Sequence, residues 1–383
     1  MHICDLTTLY IDHGEGGVNT YLFEKARHLA AQREQGSPVR HTIVVPGRRD
    51  TRRQLFGSTL ITVKSPSLPS NPQHRVLARV KEVKRILRDL RPDIVEVDCA
   101  YLLGQVAKSA LPQVPVVGFY HVHLPTFIAR PRASRLGPLL AATAERATWR
   151  YVDYCNRYCE RVVVTSAPIE ERLRQAGFRV PLQRVQLGVN LELFQPHQRE
   201  AQDIVELLYV GRLSREKDLE VLLDAFQRLT PRERYRLTLV GDGPLRRQLE
   251  RQAAGDGRVR FLGAIPYGQE LAQRYRQADV LAVPSPNETF NLTVLEGLAS
   301  GLPVVAVRQG GPRDLVTDEV GALARPSDPA DFARALHEVA KRRISPAFCR
   351  EHVEARSSWT RTFDRLLDLY DEVCGQPARA ASA

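Results

Sequence analysis

The 383-residue chain has no apolar run approaching the roughly eighteen residues that a membrane-spanning helix requires. Its opening, "MHICDLTTLYIDHGEGG", lacks a basic segment followed by an apolar one, so no secretory leader is expected. Cysteine is scarce and scattered, at Cys4, Cys99, Cys155, Cys159, Cys349 and Cys374. "CNRYC" places three residues between its cysteines, not the two of redox and zinc motifs. Buried, reduced thiols of a cytoplasmic protein are therefore expected. No Asp-x-Asp motif occurs to hold a metal. Aromatic residues are only 7%, and no nucleic-acid-binding motif is found, so no nucleic-acid partner is expected. The dinucleotide fingerprint also fails: after Gly14 and Gly16, the third glycine position holds Asn19. That argues against a nicotinamide oxidoreductase.

What is present is a soluble composition, 43% hydrophobic and 26% charged, with enough apolar material for a sizeable core. The net charge of +11 is unevenly placed. Residues 1–200 hold 29 Lys and Arg against 18 Asp and Glu, whereas residues 201–383 hold 26 of each. The first half is expected to meet something anionic.

Short β-branched runs alternate with helical patterns. In the first half the strands read as "HICDLTT", "HTIVVPG", "DIVEVD", "VPVVGFYH", "RVVVTS" and "RVQLGVN". In the second they read as "ELLYVGRL", "YRLTLVGDG", "RVRFLG", "DVLAVPS" and "LPVVAVRQ". Near-continuous apolar strands separated by helices predict parallel sheets covered on both faces. Val76, Leu77, Val80, Val83, Ile86, Leu87 and Leu90 mark one helix face. Asp328 before Pro329 reads as an N-cap and first helical residue. Pro196 and its polar neighbours suggest a linker near 191–203. The expected domains are 1–198 and 199–357, with a final helix near 358–374 packing back on the first. Two doubly wound domains bind ligands beyond the carboxyl ends of their strands, at loops facing a cleft.

Several such loops carry polar groups. Gly14, Gly16 and Gly17 precede a helix starting near Val18, where backbone N–H groups suit an anion, although a tight turn explains them equally. Arg212 ends a strand and Lys217 follows five residues later; two cations there suit a diphosphate, or form a solvated turn. Gly241 and Gly243 mark a sharp turn before Pro244. In "NETFNLTVLEGLASG", Glu288 sits on a loop before a helix predicted to begin near Phe290. Amides near Leu292 and Thr293 would face an anion, and Glu296 follows about two turns from Glu288. In "GFYHVHLPTF", His121 and His123 point opposite ways if the strand continues, so one of them would face the site.

Together "GEGGVNTY", "VGRLSREKD", "VGDGP", "NETFNLTVLEGLASGLPVVA" and "GGPRDLV" resemble the retaining nucleotide-sugar glycosyltransferases of family GT4. The resemblance covers nearly the whole chain, and its most specific element is the Glu-x7-Glu pair Glu288 and Glu296. It implies the α/β GT-B fold, two Rossmann-like domains facing an inter-domain cleft, the first for the acceptor and the second for the donor. It implies catalytic roles for His121, Glu288, Arg212 and Lys217. Glu288 would touch the donor sugar, Glu296 the ribose, and Arg212 and Lys217 the diphosphate. Leu292 and Thr293 would add amides, while Gly16 and Gly17 would close over the donor. Gly241, Phe290 and Asn291 would complete the donor pocket. His121 matches the histidine that contacts the transferred sugar, with His123 as the alternative. The family's usual Glu-Gly-Phe-Gly reads Glu288-Thr289-Phe290-Asn291 here, which adds two side chains near the donor.

No metal and no cofactor beyond the nucleotide-sugar are expected. "YHVHLPTFI" and "GGPRDLV" look most like members that glycosylate lipids from UDP-hexose or GDP-mannose. A soluble acceptor, or a GT-B nucleotide-sugar epimerase, is the alternative. The basic clusters "GRRDTRR" (47–53), "ARPRASR" (129–135) and the helix 75–91 suggest a cytoplasmic enzyme held at an anionic membrane face. Acidic soluble acceptors, or merely a solvated basic face, would explain the same charge.

Overall fold

The computed structural model describes residues 1–11, 16–68, 71–98, 101–125, 138–197 and 203–375. The chain forms two compact units. The first joins Met1–Gln186 to the stretch from Trp359 onward, and the second is Leu187–Ser358.

In the first unit the strands are β1 (His2–Leu6), β2 (Arg40–Gly47), β3 (Thr51–Leu55), β4 (Ser58–Lys64), β5 (Ser67–Leu68), β6 (Asn71–Arg75), β7 (Ile94–Asp98), β8 (Val116–Phe119), β9 (Arg161–Val164) and β10 (Leu182–Arg184). Eight of them make one sheet in the order β10-β9-β8-β7-β1-β2-β4-β3. All neighbours are parallel except the β3–β4 hairpin. The central strands β1 and β7 are buried at every residue, which is why they read as unbroken apolar runs. The hairpin escapes sequence reading because β3, "TRRQL", is an exposed polar edge strand with no apolar face. Val76 and Leu77 also fall outside the expected helix, which runs from Val80 to Leu90. The N–H of Val76 instead donates to the Pro66 carbonyl at 3.1 Å, holding the chain out of helical geometry.

A buried polar network crosses this sheet. Lys25 Nζ lies 2.7 Å from Asp5 Oδ1 and 3.2 Å from Glu96 Oε2, and donates to the Tyr370 hydroxyl at 2.9 Å. The Tyr21 and Tyr370 hydroxyls both donate to Glu96. His41 Nε2 reaches Asp5 at 3.0 Å, and its Nδ1 meets the Ser58 hydroxyl at 2.9 Å. Burial alone would raise the Asp5 carboxyl, but Lys25 and His41 hold it at about 2. Burial dominates at Glu96 and pushes that carboxyl up. Tyr370 belongs to the helix Trp359–Val373, so the C-terminal helix is pinned to the first unit through a hydrogen-bonded charge cluster.

The second unit contains β11 (Val205–Val210), β12 (Tyr235–Val240), β13 (Val259–Gly263), β14 (Val280–Val283), β15 (Val304–Val307) and β16 (Gly321–Ala324). They form a fully parallel sheet in the order β13-β12-β11-β14-β15-β16. The chain builds outward from β11 through β12 to β13, then returns to the other side of β11 at β14. The switch point of a doubly wound sheet therefore lies between β11 and β14. Asp328 caps its helix as expected, accepting the Asp331 N–H at 2.9 Å.

The division falls at Gln186, upstream of the boundary expected at 198. The stretch read as a linker begins inside the second unit. The Arg350 guanidinium gathers the carbonyl oxygens of Leu191, Phe194 and Ala299. Phe194 itself is fully buried, edge-on to Tyr275 at 5.5 Å. Residues 198–202 of that stretch lie outside the described residues. Cys4, Cys155, Cys159 and Cys349 are buried free thiols, and burial pushes the Cys159 and Cys349 thiols up to about 12. Cys99 lies outside the described residues.

Candidate active site

Several of the residues singled out in the sequence lie on the loops that flank the switch point of the second unit. Beyond β11 the chain runs through Gly211, Arg212 and Leu213 into a tight turn, Arg215–Lys217. Gly211 (φ +149°) and Gly241 (φ +137°) press backbone against backbone. A Cβ on Gly241 would lie 1.9 Å from the Gly211 carbonyl oxygen, and one on Gly243 would lie 2.4 Å from the Leu213 oxygen. The loops after β11 and β12 are therefore locked together, and bonds from Leu213 N to Asp242 O and from Leu245 N to Leu213 O close the contact at 2.9 Å each. Gly241 acts by allowing this approach.

Beyond β14 comes Glu288, and it meets Lys217. Lys217 Nζ donates to Glu288 Oε1 at 2.5 Å, with both side chains partly buried. The Ser285 hydroxyl donates to the Glu216 carbonyl at 3.1 Å, a second brace between the loops. Tyr209 packs beneath and donates to the Arg212 carbonyl at 3.0 Å. Burial, with Glu288 and Glu216 nearby, keeps its phenol well above the usual range, so Tyr209 stays a neutral donor. Arg212 is partly exposed beside this cluster.

The helix after Glu288 starts at Leu292, two residues later than expected. Asn291 explains the delay. It sits at φ +94°, outside helical space, and its Oδ1 accepts the Val294 N–H at 3.2 Å. The Thr293 hydroxyl also donates to that oxygen. Asparagine tolerates this left-handed backbone better than most residues and caps the helix at the same time. Capping takes up the amide of Val294; those of Leu292 and Thr293 open the helix, where its dipole favours an anion. Phe290 is buried and anchors the loop.

Glu296 lies on this helix and is only 6% exposed. The Tyr275 hydroxyl donates to its Oε2 at 2.6 Å. Tyr275, from the helix Gln269–Arg276, belongs to no motif singled out in the sequence. Gly310 and Gly311 are also missed as individual residues. Gly311 N donates to the Glu288 carbonyl at 2.9 Å. A Cβ on Gly311 would meet the Phe290 oxygen at 2.2 Å, and one on Gly310 the Glu288 oxygen at 2.5 Å. The "GG" doublet before "PRDL" was the available signal.

The first unit holds the remaining candidates. Strand β8 ends at Phe119, so His121 and His123 do not alternate along a strand. His121 stacks on Phe119 with ring centroids 4.1 Å apart and meets the Tyr21 ring at 5.2 Å. Burial, aided by Lys25, lowers its imidazole to about 3, so it is neutral across the ordinary range. His123 is 5% exposed, bonded to Tyr120 at 2.9 Å and edge-on to Trp149 at 5.1 Å. Of the two, His121 is the more accessible. Gly16 (φ +148°) and Gly17 open the helix Gly17–Glu34 and are exposed; Gly14 lies outside the described residues.

Residues 15–193 match the model for Glycosyltransferase Family 4, and residues 205–342 match Glycosyl transferases group 1. A GDP-mannose-dependent alpha-mannosyltransferase of Mycobacterium tuberculosis is 34% identical over 316 residues, 78% of each chain. A D-inositol 3-phosphate glycosyltransferase of Geodermatophilus obscurus is 30% identical over 96% of this chain and 87% of its own. Sulfoquinovosyl transferase SQD2 of Arabidopsis thaliana is also 30% identical, over 84% of this chain; the aligned part is 64% of that protein's length. Sucrose-phosphate synthase from Thermosynechococcus elongatus shares the fold, with a TM-score of 0.77 at 23% identity over 98% of this chain and all of that one. HepE of Anabaena, solved with UDP, has a TM-score of 0.70 at 18% identity over 97% of this chain and all of that one. The chain belongs to glycosyltransferase family 4 and has the GT-B fold.

Proposed function

We propose that this protein is a retaining hexosyltransferase that uses UDP-hexose or GDP-mannose without a metal or other cofactor. The observation that carries the reading is the convergence of Arg212, Lys217, Glu288 and Glu296 around one switch point, beside a capped helix start. In this reading the diphosphate sits against Arg212, Lys217 and the amides of Leu292 and Thr293. Glu296, held by Tyr275, takes the ribose hydroxyls, and Glu288 takes the sugar. As the C1–O bond to the diphosphate breaks, negative charge gathers on the leaving oxygens. Fixed cations and helix amides stabilise that charge more than they stabilise the bound donor. The acceptor oxygen bonds to C1 from the same face, and its proton passes to the leaving phosphate. His121, a neutral imidazole, serves as a hydrogen-bonding group toward the transferred sugar rather than as a charged acid.

For the acceptor we favour a lipid or lipid-linked glycan at the cytoplasmic face of a membrane. A relative named as a phosphatidylinositol dimannoside mannosyltransferase supports it, as does the basic first half. No helix among the described residues is long and apolar enough to cross a membrane. A soluble acceptor is the second reading, favoured by relatives named for D-inositol 3-phosphate.

The test is incubation with UDP-, GDP- and ADP-hexoses, with and without EDTA, against lipid and soluble acceptors. The anomeric proton of the product is then read by NMR. Transfer with retained configuration in EDTA supports the reading. Inversion, or turnover restored only by a metal, overturns it. Epimerisation of the donor without transfer would select the epimerase alternative.

A further inference from the structure

The first unit holds a recess of about 1160 Å³ at the amino ends of β9 and β10. One wall is the helix Pro138–Asn156 and the turn after it, which contribute Arg146, Arg150 and Arg157. The other is the helix Ala167–Gln175 and the loop entering β10, which contribute Arg172 and Arg179. Five guanidiniums thus face two carboxylates, Glu145 and Asp153.

These charges are poorly neutralised. The Arg172–Glu145 pair is long, at 3.9 Å, and Asp153 accepts the backbone N–H of Arg179 rather than its side chain. Arg146, Arg150 and Arg179 make no side-chain ion pair with the described residues, and all three are exposed. Arg157 lies over the Tyr154 ring at 4.0 Å, which orients its guanidinium beside the recess. By contrast, the clusters singled out in the sequence are partly self-neutralised. Arg79 pairs with Asp50, and Arg85 with Glu82 and Asp89. The cluster 129–135 lies outside the described residues.

We infer that this recess is a second binding site, for a sugar chain bearing carboxylate or sulfate groups. A guanidinium presents a planar fork that meets two oxygens of such a group at once. Cations on both walls suit a ligand lying between them. A flat bilayer would meet protruding cations, not the two sides of a recess. Trp149 also lines it, and an indole suits the apolar C–H face of a pyranose. A free inorganic anion would use the arginines alone. Because β8 and β9 are parallel, the recess opens toward the amino ends of the strands, whereas His121 follows the carboxyl end of β8; Trp149, which also meets His123, lies between the two. A strand of four residues spans about 13 Å, so only a chain of several sugars would extend from this end toward the other. The site would retain an acidic polymer without occupying the catalytic loops.

The chain has only two tryptophans, and Trp359 is 7% exposed, so Trp149 gives a local fluorescence signal. The full-length protein is titrated with dextran sulfate oligosaccharide, neutral dextran, inorganic sulfate and phosphatidylglycerol vesicles, at low and high salt. We expect a saturable change with dextran sulfate, weakening as salt rises, and none with neutral dextran. Combining Arg146→Ser, Arg150→Ser and Arg179→Ser should weaken binding at least tenfold while leaving the melting temperature in place. Arg150→Glu alone should weaken it severalfold, which keeps the test intact should the triple variant misfold. Absence of binding at low salt overturns the proposal. So does triple-variant affinity within twofold of wild type, or equal response to neutral dextran or inorganic sulfate. Vesicle binding that depends on these arginines, without oligosaccharide binding, would make the face a membrane surface instead. Nucleotide-sugar turnover is measured separately, so failure of this site and failure of the glycosyltransfer reading are distinguished.

Discussion

Lys217 Nζ sits 2.5 Å from Glu288 Oε1, joining the loop after β11 to the loop after β14. In the proposed reaction these two groups serve different parts of one donor: the cation its diphosphate, the carboxylate its sugar. Their ion pair prepositions both side chains in a partly buried place. Lys217→Ala and Arg212→Ala should each cost about 2–4 kcal/mol of transition-state stabilisation, the scale of a lost oxyanion donor. Measured kcat/KM near wild type in both variants would remove the diphosphate assignment.

The two carboxylates should separate kinetically. Glu296→Ala should mainly raise the donor KM, because a ribose contact exists in ground and transition states alike. Glu288→Ala should mainly lower kcat. Tyr275→Phe removes one hydrogen bond to Glu296 and should raise the donor KM severalfold with kcat little changed, in line with about 0.5–1.5 kcal/mol for a typical bond. Calorimetry of UDP and GDP binding checks this. Unchanged nucleotide affinity in Glu296→Ala would defeat the ribose role.

Glycine at 311 places Glu288 rather than binding anything itself. A methyl group there would collide with the Phe290 carbonyl, which is backbone and cannot swing aside. Gly311→Ala should lower kcat tenfold or more by displacing the loop. Gly257→Ala, where an added Cβ meets nothing within 4 Å, serves as the neutral control. Full activity in Gly311→Ala would show that the loop yields without loss.

His121 makes stability depend on pH. Burial lowers its imidazole from an ordinary 6.5 to about 3. The unfolded chain therefore binds more protons between those values, and stability rises with pH across that window. The contribution is complete above about 6.5 and is lost as pH falls toward 3. Melting temperatures at pH 7, 5 and 4 should fall less steeply in His121→Gln than in wild type. Parallel curves would mean that His121 does not titrate as argued.

The charge cluster at the C-terminal helix gives a stability test. Lys25→Met leaves Asp5 and Glu96 buried without their cation and should cost about 3–5 kcal/mol. Tyr370→Phe removes a bond to Glu96 and one from Lys25, and should cost about 1–3 kcal/mol. Urea denaturation followed by circular dichroism measures both. A neutral Lys25→Met would mean that the carboxylates find other partners.

Most strands were legible because a parallel sheet covered on both faces demands uninterrupted β-branched runs, as in "VPVVGF" and "LPVVAV". The candidate site was legible for a related reason: Glu296, buried inside an apolar helix, is costly unless it meets something. The polar edge strand β3 was not, since hydrogen bonding to β4 forms it, not side-chain pattern. Nor was the unit boundary, which Arg350 sets by binding carbonyls more than 150 positions away. Local spacing marked the residues to which the proposed chemistry is assigned, and it determined that β and α elements alternate. Only tertiary packing decided that Lys217 pairs with Glu288, that Tyr275 holds Glu296, and that Tyr370 returns to Lys25. Each of these joins groups far apart in the chain, and short-range periodicity carries no information about which distant groups will meet.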